Sequence, residues 1–203
     1  MTRSQSRKTH KLAVAALLTA VAAILQFIEF AIPLIPAFIK LDISDLPALL
    51  GTFSLGPVYG VAIQLVKNLL HLPFGTSACV GELSNFLHGS VFVAVAGIVY
   101  MRHKSRKSAL IGSIAGAAAM ALVCLPLNYF FVYPAFVVIY GLPLEGIVGM
   151  YEDILGGVSG LLTDNALLNC LLVFNVPFTF CKGLLDVLLC FLIYKPLSPL
   201  LHK

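Results

Sequence analysis

The sequence predicts an all-α integral membrane protein, a bundle of six transmembrane helices with both termini in the cytoplasm. Of its 203 residues, 60% are hydrophobic and only 11% are charged, and the mean hydropathy is +0.99. Soluble domains are nearer to one-quarter charged. A lipid-spanning helix needs about 20 mostly apolar residues, so six spans leave room only for short connections. The whole chain, 1–203, is therefore predicted to be a single membrane domain.

The charged residues are segregated along the chain. Ten of the 13 Lys and Arg residues lie in three clusters that contain no Asp or Glu: Arg3, Arg7, Lys8 and Lys11; Arg102, Lys104, Arg106 and Lys107; Lys195 and Lys203. Cytoplasmic loops of membrane proteins carry an excess of Lys and Arg, so these clusters are predicted to face the cytoplasm, near acidic lipid headgroups. No basic residues interleave with aromatic ones on a polar surface, which argues against a nucleic-acid partner.

Six apolar segments, separated by polar or proline-containing stretches, are the predicted helices: 12–31, 45–55, 58–72, 83–101, 109–132 and 170–194. The outer loops are then 32–44, 73–82 and 133–169, the last of them partly helical. Prolines at positions 33 and 36 should break the first helix, and Ser44 or Asp45 is placed to cap the second. Reading 45–72 as one span would put the basic cluster 102–107 outside, so the charge pattern favours six crossings.

Lys182 and Asn128 are the most informative polar residues within the predicted spans. Lys182 follows a run of 17 uncharged residues inside the sixth helix, where an ionisable group is costly and usually functional. It could pair with Asp186 four residues later or contact a ligand. The ligand role is favoured because Asn175 and Thr179 share its helical face. Asn128, near the end of the fifth helix, is either a ligand group or a satisfied helix-end amide.

Polar residues at helix ends have simpler interpretations. Lys67, one turn from His71 near the end of the third helix, is predicted to extend its ammonium group to the membrane interface. Glu82 and Asn85 open the fourth helix, where an acidic first turn favours the helix dipole.

Small residues four positions apart let helix backbones approach closely within lipid. Such pairs occur at Gly56 and Gly60 and at Gly112 and Gly116, where internal packing is the favoured interpretation. Ala16 and Ala20 differ, because alanines also line the other face of the first helix. A helix with small residues all round suits a sliding contact with another protein.

Sequence signatures of enzymes and metal sites are missing from the chain. It contains no HExxH, GxxxxGK[ST] or GxSxG motif. Its five cysteines show no CxxC spacing, and four of them lie in apolar runs where cysteine acts as a small hydrophobic residue. We therefore expect a protein that is not an enzyme and that carries neither a metal nor a cofactor.

Four sequence blocks resemble the riboflavin-binding S components of energy-coupling factor (ECF) transporters. They occur in the family's order and are the segments FIKLDISDLPALLG at 38–51, KNLLHL at 67–72, VGELSNF at 80–86 and PFTFCKG at 177–183. The likeness extends over residues 11 to 195. The resemblance implies a six-helix S-component bundle in the bacterial plasma membrane that binds riboflavin near its outer face. It also implies partners, namely a membrane coupling (T) protein and two cytoplasmic ATPase subunits.

The resemblance also implies particular site residues. In the family, an Asn at the end of helix five and an Asn-x-x-Lys on helix six contact the flavin. Asn128 and Lys182 match this pattern, whereas Thr179 stands in place of the second Asn and Asn175, one turn earlier, could compensate. The matching blocks add Leu41, Asp42, Glu82 and Asn85 as substrate-binding candidates. The family's AxxxA docking motif matches Ala16 and Ala20.

The leading hypothesis is therefore a substrate-binding transporter subunit for riboflavin, which is a transported ligand and not a cofactor. The same architecture could instead bind FMN or another vitamin, although Lys40 is the only basic residue in the outer loops to attract a phosphate. From a different class, a membrane enzyme or a structural subunit of a membrane complex remains an alternative.

Overall fold

The computed structural model describes residues 3–32, 36, 39–75, 79–141, 143–155 and 162–201. The parts of the predicted outer loops at 33–35, 37–38, 76–78, 142 and 156–161, including the predicted break at Pro33, lie outside the described residues. The helices are α1 (Arg3–Phe27), α2 (Asp45–Leu55), α3 (Pro57–His71), α4 (Val80–His103), α5 (Arg106–Leu127), α6 (Tyr133–Tyr140), α7 (Leu144–Leu155), α8 (Ala166–Cys170) and α9 (Val176–Leu201). A 3-10 turn follows α3 at Leu72–Phe74, and two short strands, β1 (Phe30–Ala31) and β2 (Lys40–Leu41), pair antiparallel.

The described helices include four stretches long and apolar enough to cross a membrane: Arg7–Phe27, Val80–His103, Arg106–Ile139 and Ala166–Ile193. Helices α2 and α3, with 11 and 15 residues, are shorter than the roughly 20 residues of a full span. They pack against each other as a hairpin. Its turn is at Gly56, whose φ of 113° favours glycine.

The first helix differs from its predicted bounds at both ends. It begins at Arg3 instead of residue 12, because the Lys-, Arg- and Gln-containing segment before the apolar run has good helix propensity although it is polar. It ends at Phe27 instead of residue 31, because Phe30 and Ala31 pair with Leu41 and Lys40 in the two strands. Hydropathy located the apolar core of the helix and not its ends.

Two π-helical turns, Asn128–Val132 and Leu171–Asn175, lie within the predicted fifth and sixth spans. The helices beside them, α6 and α8, extend helical structure beyond the predicted ends of these spans. The first turn joins α5 to α6, so the predicted outer loop begins with helix, and the second turn joins α8 to α9. A proline follows each turn by two residues, at Pro134 and Pro177, and cannot donate an i→i−4 hydrogen bond. The loss of that donor favours a local widening of the helix, and such widened turns are frequent at functional sites.

The helices pack around two hydrophobic clusters. One joins α1–α5 and α9, and the other joins the end of α5 to α6, α7 and α8. Helix α5 packs closely on α4: a methyl group at Gly116 would lie 2.5 Å from the Phe92 carbonyl oxygen, and one at Gly112 would lie 2.7 Å from that of Ala96. The predicted internal packing of this glycine pair is therefore confirmed.

Candidate substrate-binding site

A cavity of about 350 Å³ opens at the end of the bundle where α1, α3 and α5 finish and where α2, α4 and α9 begin. This size lies at the lower end of the range for small-molecule sites, roughly 300–1,000 Å³. Its wall includes members of both hydrophobic clusters, such as Met120 and Tyr133. The basic cluster 102–107 is at the opposite end, between α4 and α5.

Seven of the eight predicted substrate-binding residues line this cavity: Asp42, Glu82, Asn85, Asn128, Asn175, Thr179 and Lys182. They come from the segment before α2, from α4, from both π-helical turns and from α9. Leu41 is not in the wall, although its neighbours Lys40 and Asp42 are. Ala16 and Ala20 lie elsewhere, exposed on α1.

Lys182 pairs with the segment before α2 and not with its own helix. Its ammonium nitrogen lies 2.8 Å from Asp42 Oδ2 and 3.6 Å from Asp45 Oδ2. The alternative pairing with Asp186 is therefore wrong for this structure. Burial opposes ionisation of Asp42, but the Lys182 and Lys67 ammonium groups outweigh it, so the pKa of Asp42 lies below its usual value.

Lys67 extends this ion pair into a buried network. It is fully buried, and its ammonium donates to Asp45 Oδ1 at 2.5 Å and to Ser44 Oγ at 2.6 Å. Ser44 in turn donates its hydroxyl and its backbone N–H to Asp42 Oδ1. The prediction that Lys67 reaches the membrane interface is wrong, because two carboxylates close to it stabilise the charge inside the protein.

The same network overturns the predicted cap of α2. Ser44 is at the N-cap position, but its backbone is helical and its side chain makes no capping hydrogen bond. Asp45 lies in the first turn, and its Oδ1 accepts hydrogen bonds from Lys67 and from Gln64 Nε2. Both side chains face the ion-pair network instead of the free N–H groups of the helix.

Asn128 and Thr179 are joined by a thiol between them. Asn128 Nδ2 donates to Cys124 Sγ at 3.0 Å, and Thr179 Oγ1 donates to the same sulfur at 3.3 Å. Cys124 is 1% exposed, so it contacts these two side chains from behind the wall. This arrangement orients the Asn128 amide and links α5 to α9.

Asn175 is hydrogen-bonded to two tyrosines. Its Nδ2 donates to Tyr133 Oη at 3.0 Å, and its Oδ1 accepts from Tyr151 Oη at 2.8 Å. The two tyrosine hydroxyls are also hydrogen-bonded to each other. Asn175 therefore ties α6 and α7 to the start of α9, and its amide is largely used before any ligand binds.

The other charged groups around the cavity are also paired. His71 Nδ1 lies 3.1 Å from Glu82 Oε1, and Lys40 forms an ion pair with Glu29. Glu82 therefore connects the end of α3 to the start of α4, and it lies in the first turn of α4 as predicted.

Gln26 and His88 are polar residues of the cavity wall that were not among the predicted site residues. Gln26 lies near the end of α1 and donates to Asn68 Oδ1 at 3.0 Å. His88 lies on α4, and its Nε2 is buried with no hydrogen-bond partner among the described residues. Both are polar residues in apolar helices, and that signal alone could have identified them.

Comparisons with known proteins agree with this architecture. The family model described as "ECF transporter, substrate-specific component" matches residues 10–194. The "Riboflavin transporter RibU" of Staphylococcus aureus (strain TCH60) is 32% identical over 97% of this chain and 95% of its own length. The "Riboflavin transporter FmnP" of Bacillus subtilis (strain 168) is 27% identical over 97% and 96%. A solved structure described as "Structure and mechanism of the S component of a bacterial ECF transporter" superposes with a TM-score of 0.72, at 32% identity, over 97% of this chain and 99% of that one.

The fold and the cavity define a membrane-embedded solute-binding protein, with a polar pocket at one end of an apolar helix bundle. Because the family model covers nearly the whole chain, the protein belongs to the substrate-specific components of ECF transporters. Like its relatives, it is a transport component and not an enzyme.

Proposed function

We propose that this protein binds riboflavin in the cavity described above. The observation that carries the proposal is the meeting of Asn128, Thr179 and Lys182 in one wall. An amide can pair with the N–H and C=O edge of an isoalloxazine ring, and an ammonium group can donate to a ring carbonyl. The curated names of the two relatives support the same ligand.

The remaining wall suits a flat, largely apolar ring system. Phe74, Phe136 and Phe178 supply aromatic surface, and Ile39 and Val132 supply aliphatic surface. Ligand pockets are typically apolar with a few placed polar groups that fix orientation. Carboxylate and amide oxygens in the wall, including those of Glu82 and Asn85, can accept hydrogen bonds from the ribityl hydroxyls.

The charge pairing favours riboflavin over FMN. Among the described residues of the cavity wall, Lys182 faces Asp42, Lys40 faces Glu29, and His71 faces Glu82. A phosphate would have to compete with a carboxylate for each of these groups. We therefore propose that the site takes the uncharged vitamin.

For transport, we propose six crossings with both termini in the cytoplasm of a bacterial cell, so that the cavity faces outward. The segregated basic clusters support this orientation, and the α2–α3 hairpin would supply the second and third crossings. Ala16 and Ala20, exposed on α1, would contact the membrane coupling protein, which works with two cytoplasmic ATPase subunits.

Riboflavin binding to the purified protein tests the proposal. The chain has no Trp, so quenching of flavin fluorescence can be followed without an indole background. We expect a yellow protein, and we expect riboflavin to bind more tightly than FMN. Equal or tighter binding of FMN would contradict the charge argument, and failure to bind either flavin would favour another vitamin.

A further inference from the structure

Asp186 carries a carboxyl group that is buried inside the helix bundle. It is 0% exposed on α9, and neither of its oxygens has a hydrogen-bond partner among the described residues. The neighbouring Asp42 and Asp45 differ, because each accepts hydrogen bonds from a lysine. Burying a polar group without such a bond is costly, so an unpaired Asp186 requires an explanation.

The charges near Asp186 are unbalanced in this arrangement. Three carboxylates, Asp42, Asp45 and Asp186, share two ammonium groups, Lys67 and Lys182, and all five side chains are buried. Lys67 is held on two sides by Asp45 and Ser44. Lys182 lies one helical turn from Asp186 on the same helix, a spacing at which side chains can meet.

The two carboxylates available to Lys182 differ in how they are attached. Asp186 shares α9 with Lys182 and lies four residues after it. Asp42 lies outside the helices, between β2 and α2, in a segment that also contributes Ile39 and Lys40 to the cavity wall. Movement of that segment would break the Lys182–Asp42 ion pair and leave Lys182 beside Asp186.

We infer that Asp186 is the second partner of Lys182 in the transport cycle, and that it receives the ammonium group when the segment 39–44 leaves the cavity wall. The exchange replaces one buried ion pair with another, so opening does not leave Lys182 unpaired. We call the arrangement of this structure, in which the segment 39–44 lines the cavity, the closed state. Because the ammonium group has three donors, Lys182 can bind Asp42 and a ligand at the same time in that state. Asp186 thereby lowers the free energy of the open state and sets the rate of opening.

Asp45 is the competing acceptor. Its Oδ2 lies 3.6 Å from the Lys182 ammonium, beyond hydrogen-bond distance, while its Oδ1 already accepts from Lys67 and Gln64. If Lys182 moved to Asp45, Asp186 would remain unpaired in both states. Substitution of Asp186 distinguishes the two acceptors.

Stopped-flow measurement of riboflavin binding to the detergent-purified protein provides the kinetic test, and it rests on the proposed riboflavin site. In Asp186→Asn the open state loses its ion pair while the closed state keeps Lys182–Asp42. Association and dissociation rate constants should therefore both fall by about tenfold, the effect of one hydrogen bond to a charged group, and Kd should stay within about twofold.

Two further variants serve as controls. Asp42→Asn should have the opposite effect and speed dissociation of riboflavin. Asp186→Leu, which replaces the unpaired carboxyl with an apolar side chain of similar size, should reproduce Asp186→Asn and serves if that variant does not fold.

A ligand-free measurement keeps the inference separate from the identity of the ligand. Ser44 is 0% exposed in the closed arrangement, so alkylation of a Ser44→Cys variant by a water-soluble maleimide, followed by mass spectrometry of that residue, reports opening. Adding Asp186→Asn should slow this labelling about tenfold. Unchanged labelling and unchanged binding rates would overturn the inference, as would faster dissociation with a weaker Kd. If wild-type protein fails to bind riboflavin but the labelling slows as expected, the proposed ligand is wrong and the role of Asp186 stands.

Discussion

The Lys67 ammonium nitrogen lies 2.5 Å from Asp45 Oδ1, and the two side chains are 0% and 1% exposed. This buried ion pair joins α3 to the start of α2. Through Ser44 and Asp42 it also connects to Lys182 in the wall of the cavity. The position of a ligand-binding candidate on α9 thus depends on a lysine of α3 that never contacts the cavity.

Removal of Lys67 should therefore destabilise the protein strongly. Lys67→Met leaves the Asp45 carboxylate buried without its main partner, and breaking a buried ion pair in this way costs about 3–5 kcal/mol. The double variant Lys67→Met with Asp45→Asn should recover much of the loss, because the amide oxygen can still accept from Gln64. Thermal unfolding in detergent measures both.

An exposed ion pair provides the matched control. Lys40 pairs with Glu29, but their side chains are 39% and 35% exposed. Lys40→Met should lower the free energy of unfolding by no more than about 1 kcal/mol. Equal losses for Lys67→Met and Lys40→Met would contradict the structural role given to the buried network.

Asn128 should contribute directly to riboflavin affinity, and Cys124 should contribute through Asn128. An unpaired ligand group costs about 1–3 kcal/mol, so Asn128→Ala should weaken binding about 5- to 150-fold. Cys124→Ala removes the acceptor that orients Asn128 and should cause a smaller loss, which Cys124→Ser should restore. Leu122→Ala, at a lipid-exposed position of the same helix, should leave affinity unchanged in the fluorescence titration. Wild-type affinity in Asn128→Ala would show that this amide does not contact the ligand.

Thr179→Asn should leave riboflavin binding intact or tighten it. The longer side chain reaches further into the cavity and offers an amide where the threonine hydroxyl is occupied by Cys124. The same titration measures the effect. A loss of affinity would indicate that the Thr179–Cys124 hydrogen bond is itself required.

The proposed topology predicts from which side of the membrane a cysteine at position 40 or 107 can be labelled by a membrane-impermeant thiol reagent. Lys40 and Lys107 are both exposed and lie at opposite ends of the bundle, whereas Ser44 is too buried to report sidedness. In a cysteine-free background and intact cells, Lys40→Cys should be labelled from outside and Lys107→Cys only after permeabilisation. Strong labelling of Lys107→Cys in intact cells would rule out the six-crossing arrangement.

Docking on the coupling protein should depend on Ala16 and Ala20 without affecting solute capture. Both alanines are exposed on α1, and neither of them lines the cavity. Replacing both with Trp would hold a partner helix away and remove the dispersion contacts that favour association in lipid. We expect near-normal riboflavin binding but loss of ATP-dependent uptake and of co-purification with the coupling protein.

The controls for docking follow from the same helix. Leu17→Trp, at an exposed position between the two alanines, shows whether any bulky residue at this depth disrupts transport. Wild-type uptake by the Ala16→Trp, Ala20→Trp variant would place the docking surface elsewhere. Loss of riboflavin binding as well would indicate that the alanines pack inside the subunit.

Local features of the sequence were sufficient for much of this description. Hydropathy predicted the apolar helices, because the cost of placing a helix in lipid depends on its own side chains. The ordered sequence blocks indicated the transporter family, which the comparisons confirmed. Polar residues in apolar segments identified four members of the cavity wall, Asn128, Asn175, Thr179 and Lys182, since such residues are rarely placed in a membrane without a role.

Only the tertiary structure decided which of these polar groups pair with one another. Lys182 was expected to meet either a ligand or Asp186, four residues away, but it meets Asp42, 140 residues away. Lys67 was expected at the membrane interface, and it is buried against Asp45. An ammonium group inside a membrane protein takes the carboxylate that packing brings within about 3 Å. That choice depends on how six helices converge at one end of the bundle, and no local pattern of residues contains it.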